Sequence, residues 1–105
     1  MRRSVQPIVT EEQARAIAAI VAEECGATWG WDREDSFIRY MTKTHGAREW
    51  RLNSKLGFGG KVYLNSNRNF TPYVGCYRED ETPERIAMIE RTNERIASIW
   101  PTEDA

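Results

Sequence analysis

The sequence is poor in the residues on which most function assignments rest. It has one histidine, His45, and two cysteines, Cys25 and Cys76, far apart in the chain. Zinc sites draw on Cys and His ligands in closely spaced pairs, and no such pair is present, so no metal site is expected. Nothing in the spacing pairs His45 with a nucleophile or an orienting carboxylate. Beside Gly46 it reads as a surface or capping residue, and no catalytic residue or cofactor is assigned. There is no apolar run near the ~20 residues needed to span a bilayer. The segment MRRSVQPIV has two arginines but no hydrophobic stretch behind them, unlike a secretory signal. These absences point to a non-enzymatic cytoplasmic protein with no membrane association. In a reducing compartment Cys25 and Cys76, both at core-facing positions, are expected to be buried free thiols.

What is present is one domain's worth of chain. The 105 residues, 40% hydrophobic and 30% charged, suit a single domain over 1–105 with a modest core. No linker, repeat or low-complexity segment divides it. Residues 1–9 read as a lead-in and 101–105 as a tail, both loosely ordered. The net charge of −1 conceals a division. Residues 1–35 carry four basic and seven acidic side chains, residues 36–78 eight basic and one acidic, and residues 79–105 three basic and eight acidic. Acidic helices could neutralise a basic sheet within the fold, or the basic segment could be offered to an anionic partner.

Helix signals lie at both ends. Thr10 is a good N-cap, and Gln13 three residues later completes a capping box. Ala14, Ile17, Ala18, Val21, Ala22 and Cys25 form one apolar face, and Gly26 suits the C-cap. Glu23 and Glu24 fall in the last turn, where the helix dipole disfavours anions, so a contact with the basic sheet or a partner is expected to hold them. Ala27–Asp32 reads as a turn in which one or both of Trp29 and Trp31 roof the core, with a ligand-stacking platform as the alternative. Acidic residues before Phe37, Ile38, Tyr40 and Met41 suggest a second helix over Arg33–Thr44, with an edge strand at Ser36–Met41 as the alternative. Thr82-Pro83 opens a third helix. Its apolar stripe reads Ile86, Ile89, Ile96 and Trp100, interrupted by Asn93, which either bonds a loop or sets register in a dimer. Pro101 ends it.

Between the helices the period changes to two. Trp50 and Leu52, Val62 and Leu64, and Val74 and Cys76 alternate with Glu49 and Arg51, Lys61 and Tyr63, and Tyr73, Gly75 and Tyr77. The first set is assigned to the core. The turns fall at Asn53–Lys55 with the glycines that follow, and at Asn65–Asn69, as in antiparallel hairpins. Gly57-Phe58-Gly59-Gly60-Lys61 is not a phosphate-binding loop. Lys55 stands where the first glycine belongs and Val62 where Ser or Thr belongs. The glycines read as a hairpin, a bulge or a close backbone approach. The acidic clusters Asp32, Glu34 and Asp35, and Glu79, Asp80 and Glu81, read as helix capping and solubility, with an acidic patch that docks on a basic protein or mimics nucleic acid as the alternative.

One constellation has chemical content: Arg51, Lys61, Tyr63, Tyr73 and Tyr77 on the outer sheet face. Aromatic rings stack on bases and nearby cations neutralise phosphates, so this face is a candidate macromolecule-binding surface. The competing readings are a helix packed over it, or Tyr rings lying flat on the Arg and Lys stems.

The residues Glu49-Trp50-Arg51, Leu56–Lys61, Cys76–Tyr77 and Thr82–Arg85 carry a resemblance over roughly Ala47–Ile96. The pattern EWR…LGFGGK…CYREDETPER resembles small proteins encoded by tailed bacteriophages and prophages. The resemblance implies an accessory protein that binds a host protein, with inhibition of a defence component such as a CRISPR effector as an example. It brings no catalytic residues with it. The expectation is therefore an α+β domain: two N-terminal helices, a three-stranded antiparallel β-meander and a C-terminal helix packed on one sheet face. The expected function is binding of a host macromolecule, with a nucleic-acid-binding module as the alternative, by a monomer or homodimer.

Overall fold

Local chemistry sets the ends of the helices. In the computed structural model, which describes residues 9–30, 33–43, 48–54, 61–67 and 70–100, α1 spans Glu11–Cys25. The Thr10 hydroxyl accepts from the Gln13 N–H at 3.0 Å, and the Gln13 side chain accepts from the Thr10 N–H at 2.9 Å. Such a cap contributes about 1 kcal/mol. Gly26 closes the helix at φ 57°, the left-handed conformation that a side chain resists. Helix α2 spans Arg33–Lys43, so Ser36–Met41 is helical and not an edge strand. Helix α3 spans Pro83–Ile99, with the Thr82 hydroxyl accepting from the Arg85 N–H and Pro83 in the first turn.

The sheet has four antiparallel strands in the order β1-β2-β3-β4: Ala27–Thr28, Arg48–Ser54, Lys61–Asn67 and Phe70–Cys76. The expected three-stranded meander is thus extended by a two-residue strand where a turn was expected. Ala27 pairs with Ser54 and Thr28 with Asn53, as the chain leaves α1. Two residues carry no periodicity, which is why the pattern did not show this strand. Strands β2 and β3 also run further than expected. Asn53, Ser54 and Asn65–Asn67, assigned above to turns, lie in the ladder. A register shift between Asn65 and Asn67 sets the extra residue of a bulge into β4, beside Pro72.

One sheet face and the inward faces of the helices share a core. Trp50, Leu52, Val62, Leu64 and Val74 meet Ala14, Ile17, Ala18, Ile20, Val21 and Cys25 of α1 and Phe37, Ile38, Tyr40 and Met41 of α2. Trp29 roofs this core as expected, its indole N–H donating to the Ala18 carbonyl at 3.0 Å. Its ring lies 5.0 Å from Phe37, which meets Trp50 edge-on at 5.7 Å. Helix α3 packs against β4 and α1. Of its expected stripe, Ile96 and Trp100 are buried and Ile89 packs against the core, but Ile86 is 42% exposed, and Arg85, Met88 and Thr92 point inward. The apolar periodicity missed Arg85 and Thr92 because they are polar. Thr92 can be buried because its hydroxyl donates to the Met88 carbonyl at 2.7 Å and meets the Cys25 thiol at 3.4 Å.

Both cysteines are free, but only Cys25 is buried; Cys76, expected in the core, is half-exposed near the end of β4. Among the described residues the partners of Glu23 and Glu24 lie on α3, not on the sheet. Arg95 bridges both, at 2.6 and 2.8 Å, and Arg91 joins Glu24 at 3.2 Å, so the carboxylates tie α1 to α3. Among the described residues no helix is long and apolar enough to cross a membrane. Residues 1–8, Trp31, Asp32, His45, the glycine run with Lys55, Arg68 and the tail lie outside the described residues; Val9, expected to be loosely ordered at the end of the lead-in, is buried in the core.

Candidate functional site

Alternation along each strand and pairing between strands together build the outer face. Its residues fall in rows across the sheet. Glu49, Asn65 and Tyr73 are successive partners across β2, β3 and β4, and Arg51, Tyr63 and Gly75 form the next row. Asn53 and Lys61 pair in a third row, with Tyr77 just beyond the end of β4. Lys61 is placed here by its backbone register alone. The helices share their core with the other face, and on this one Glu49, Arg51, Asn53 and Tyr73 are exposed.

The tyrosines are arranged around a missing side chain. A Cβ added at Gly75 would sit 2.7 Å from the Tyr63 hydroxyl. The Tyr63 ring therefore lies across β4, in space that only glycine leaves open. It meets the Tyr77 ring at 5.8 Å between centroids, tilted by 52°. Burial pushes the Tyr63 phenol up, and the nearby Tyr73, Cys76 and Glu49 add to the shift, so at neutral pH it is a protonated hydroxyl able to donate and accept. Tyr73 stands apart in its row and is 46% exposed.

Among the described side chains of this face the one arginine is paired. The Arg51 Nε donates to the Glu49 carboxylate at 2.7 Å, which raises the guanidinium's affinity for its proton. Other cations of the basic segment lie elsewhere: Arg39 and Lys43 on α2, Arg78 in the 3₁₀ turn Arg78–Asp80, and Arg48 on the helix side, stacked 4.1 Å over the Trp50 ring. The expected basic sheet is thus a basic stretch of sequence that the fold distributes over several surfaces. Among the described residues no group of His, Cys, Asp and Glu is arranged to hold a metal ion.

Of the five residues singled out, the structure sets Arg51, Tyr63, Tyr73 and Tyr77 on the same side of the sheet and joins the rings of Tyr63 and Tyr77. Two contributors were not singled out. Glu49 is visible at i and i+2 with Arg51 on one strand face, a spacing that could have shown the pair. Gly75 shapes the face only through its register with Tyr63, which no local pattern contains.

Compared with known proteins, the chain matches no family model, no curated protein and no solved structure. Fold and face define the class: a small α+β protein with an antiparallel sheet, helices packed on one side and a tyrosine-bearing surface on the other.

Proposed function

We propose that this is a non-enzymatic accessory protein of phage type that binds a host protein through the outer face of its sheet. One observation carries the reading: Tyr73 stands exposed on the same face as the Tyr63–Tyr77 pair, where the arginine is already neutralised by Glu49. Tyrosine offers a large, stiff contact area with a polar tip, and interfaces between proteins are enriched in it and depleted of charge at their centre. Nucleic acid, in contrast, demands uncompensated cations along the path of its phosphates. The resemblance to phage proteins supplies the kind of partner, a host protein such as a defence component, with a CRISPR effector as the example.

The test is affinity capture from a bacterial host extract at near-physiological salt. Wild type is compared with a Tyr73→Ala/Tyr77→Ala double variant and with an Arg15→Ala control on the far side. The reading expects one protein retained by wild type and by the control and lost with the tyrosine variant. It is overturned if that protein is retained equally by all three. It is also overturned if labelled single-stranded or duplex nucleic acid binds with a steep salt dependence that Arg51→Ala/Lys61→Ala removes, the behaviour of a nucleic-acid-binding module.

A further inference from the structure

The edge of β2 is a second surface, distinct from the outer face. Its geometry follows from the ladder. Asn93 bonds both peptide groups of Val74, so those groups point away from β3. Leu64, opposite Val74, must then turn its N–H and C=O toward Trp50 of β2. Trp50 and Leu52 accordingly bond inward, and Glu49, Arg51 and Asn53 turn their peptide groups outward. At Asn53 this outward edge is met by Thr28 of β1. Strand β1 ends there, so the outward groups of Glu49 and Arg51 lack a neighbouring strand among the described residues.

They face a cleft of about 470 Å³ lined by Arg33, Ser36, Arg48, Glu49, Trp50 and Arg51. One wall is the first turn of α2 and the other is the open strand edge. Arg33 reaches across and donates from Nη1 to the Arg51 carbonyl at 2.6 Å. It fills the position that the N–H of an added strand would take. Among the described residues, three arginines and one carboxylate, Glu49, line the cleft, and Glu49 is held by Arg51.

We propose that this cleft binds an extended acidic segment of another protein by strand addition, continuing the sheet beyond β1. The outward groups of Glu49 and Arg51 supply the main-chain ladder, and Arg33 and Arg48 receive the carboxylates of alternate residues. When the peptide N–H takes the Arg51 carbonyl, the Arg33 guanidinium is freed to pair with a carboxylate. Main-chain bonding of this kind gives affinity, and charge selects the sequence. A second copy of the chain is disfavoured, because two such edges would bring arginines against arginines.

The probe is a fluorescent, end-blocked peptide of alternating Glu and Val, titrated by anisotropy while hydrogen exchange at the Glu49 and Arg51 amides is followed by NMR. Saturating peptide is expected to slow exchange at both amides by about tenfold or more, as a newly formed ladder bond protects its donor. The same peptide N-methylated at alternate residues, and a Lys/Val counterpart, should bind at least about tenfold more weakly, the equivalent of roughly 1.4 kcal/mol. Arg33→Glu should weaken the acidic peptide similarly, whereas Tyr73→Ala should leave it unchanged. Glu49→Pro should abolish binding without touching the β3 ladder, since the N–H it removes points outward, whereas Glu49→Ala, which loses the carboxylate but keeps that N–H, should not. If the proline variant does not fold, the N-methylated peptide decides. The proposal is overturned by unchanged exchange at Glu49 and Arg51 under saturating peptide, or by equal binding of the N-methylated form. Protection of both amides by dimerisation without peptide overturns it too. Shifts confined to Tyr63, Tyr73 and Tyr77 would remove the edge proposal and leave the face reading standing.

Discussion

The carboxamide of Asn93 hydrogen-bonds both main-chain groups of Val74: Oδ1 accepts from the Val74 N–H at 2.7 Å, and Nδ2 donates to the Val74 carbonyl at 3.1 Å. One side chain of α3 thus does for the edge of β4 what a fifth strand would do. The polar break in the apolar stripe of α3 is a cap on the sheet. Pro72, buried two residues earlier in the same strand, has no N–H to offer there. Together they make β4 a poor template for pairing with another chain.

Asn93→Ala is therefore expected to destabilise the fold by about 1–2 kcal/mol, because it orphans a donor and an acceptor at once. Asn93→Asp should not restore the loss, since a carboxylate cannot donate to the Val74 carbonyl. Urea titration gives the energies. The alanine variant should also form more soluble oligomer at high concentration, which light scattering reads. Equal stability of wild type and both variants would remove the assigned role.

Gly75→Ala probes the outer face without changing its charge. The new Cβ takes the space of the Tyr63 phenol, so the ring must swing away from Tyr77. Because the clash is with the far end of a side chain, the fold should survive, with a stability change within about 1 kcal/mol. Partner binding through the tyrosines should fall with it. NMR of the Tyr77 ring protons reports the lost contact, and unchanged shifts would mean that Tyr63 finds room without moving.

Acid should loosen the contact between α1 and α3. Hydrogen bonds from Arg95, then Arg91, hold the Glu24 carboxyl below its ordinary value. A depressed carboxyl contributes stability that is present above the unfolded value and lost as pH falls through the folded one. The wild type should thus lose stability below the usual glutamate range more steeply than Glu24→Gln. Added salt should narrow the difference, because the pairs are open to solvent. Parallel denaturant titrations from neutral pH downward test this. Parallel pH profiles of the two proteins would show that the clasp contributes nothing.

The cysteines should separate cleanly in a thiol-labelling experiment. Burial pushes the Cys25 thiol up, with the Thr92 contact opposing, and burial also raises Cys76, which is the more accessible of the two. Reactivity follows thiolate fraction and access, so Cys76 should label first and Cys25 only on unfolding. A thiol raised in the folded state contributes stability below its unfolded value and loses it as pH rises, so Cys25→Ser should flatten the alkaline side of the stability profile. Labelling of both at one rate in the native state would contradict the structure.

The helix caps were legible because their chemistry is local: Thr10 with Gln13, Gly26, and Thr82 with Pro83 each declare themselves within a few residues. The two faces of β2, β3 and β4 were legible for the same reason, since alternation belongs to a single strand. What escaped depends on contacts distant in sequence. At the start of α3 the inward positions escaped because Arg85 and Thr92 are polar, and Thr92 meets its partner Cys25 far away in sequence. Strand β1 exists through its pairing with Asn53 and Ser54. Within the outer face the tyrosines could be read directly, but their arrangement over Gly75 could not, because register is a property of two strands. Arg33 carried no signal at all until α2 was laid beside β2.

The bridges from Glu23 and Glu24 to Arg91 and Arg95 join side chains 67 to 72 residues apart, and the Cys25–Thr92 contact spans 67. During synthesis the first helix emerges well before its partner exists. Its contacts with α2 can form early, but the surface that α3 covers must wait while the whole sheet is made. Closing so large a loop is slow relative to forming local hairpins. Folding on the ribosome therefore cannot finish until α3 is released, and that interval is when this chain is most exposed to proteases and chaperones.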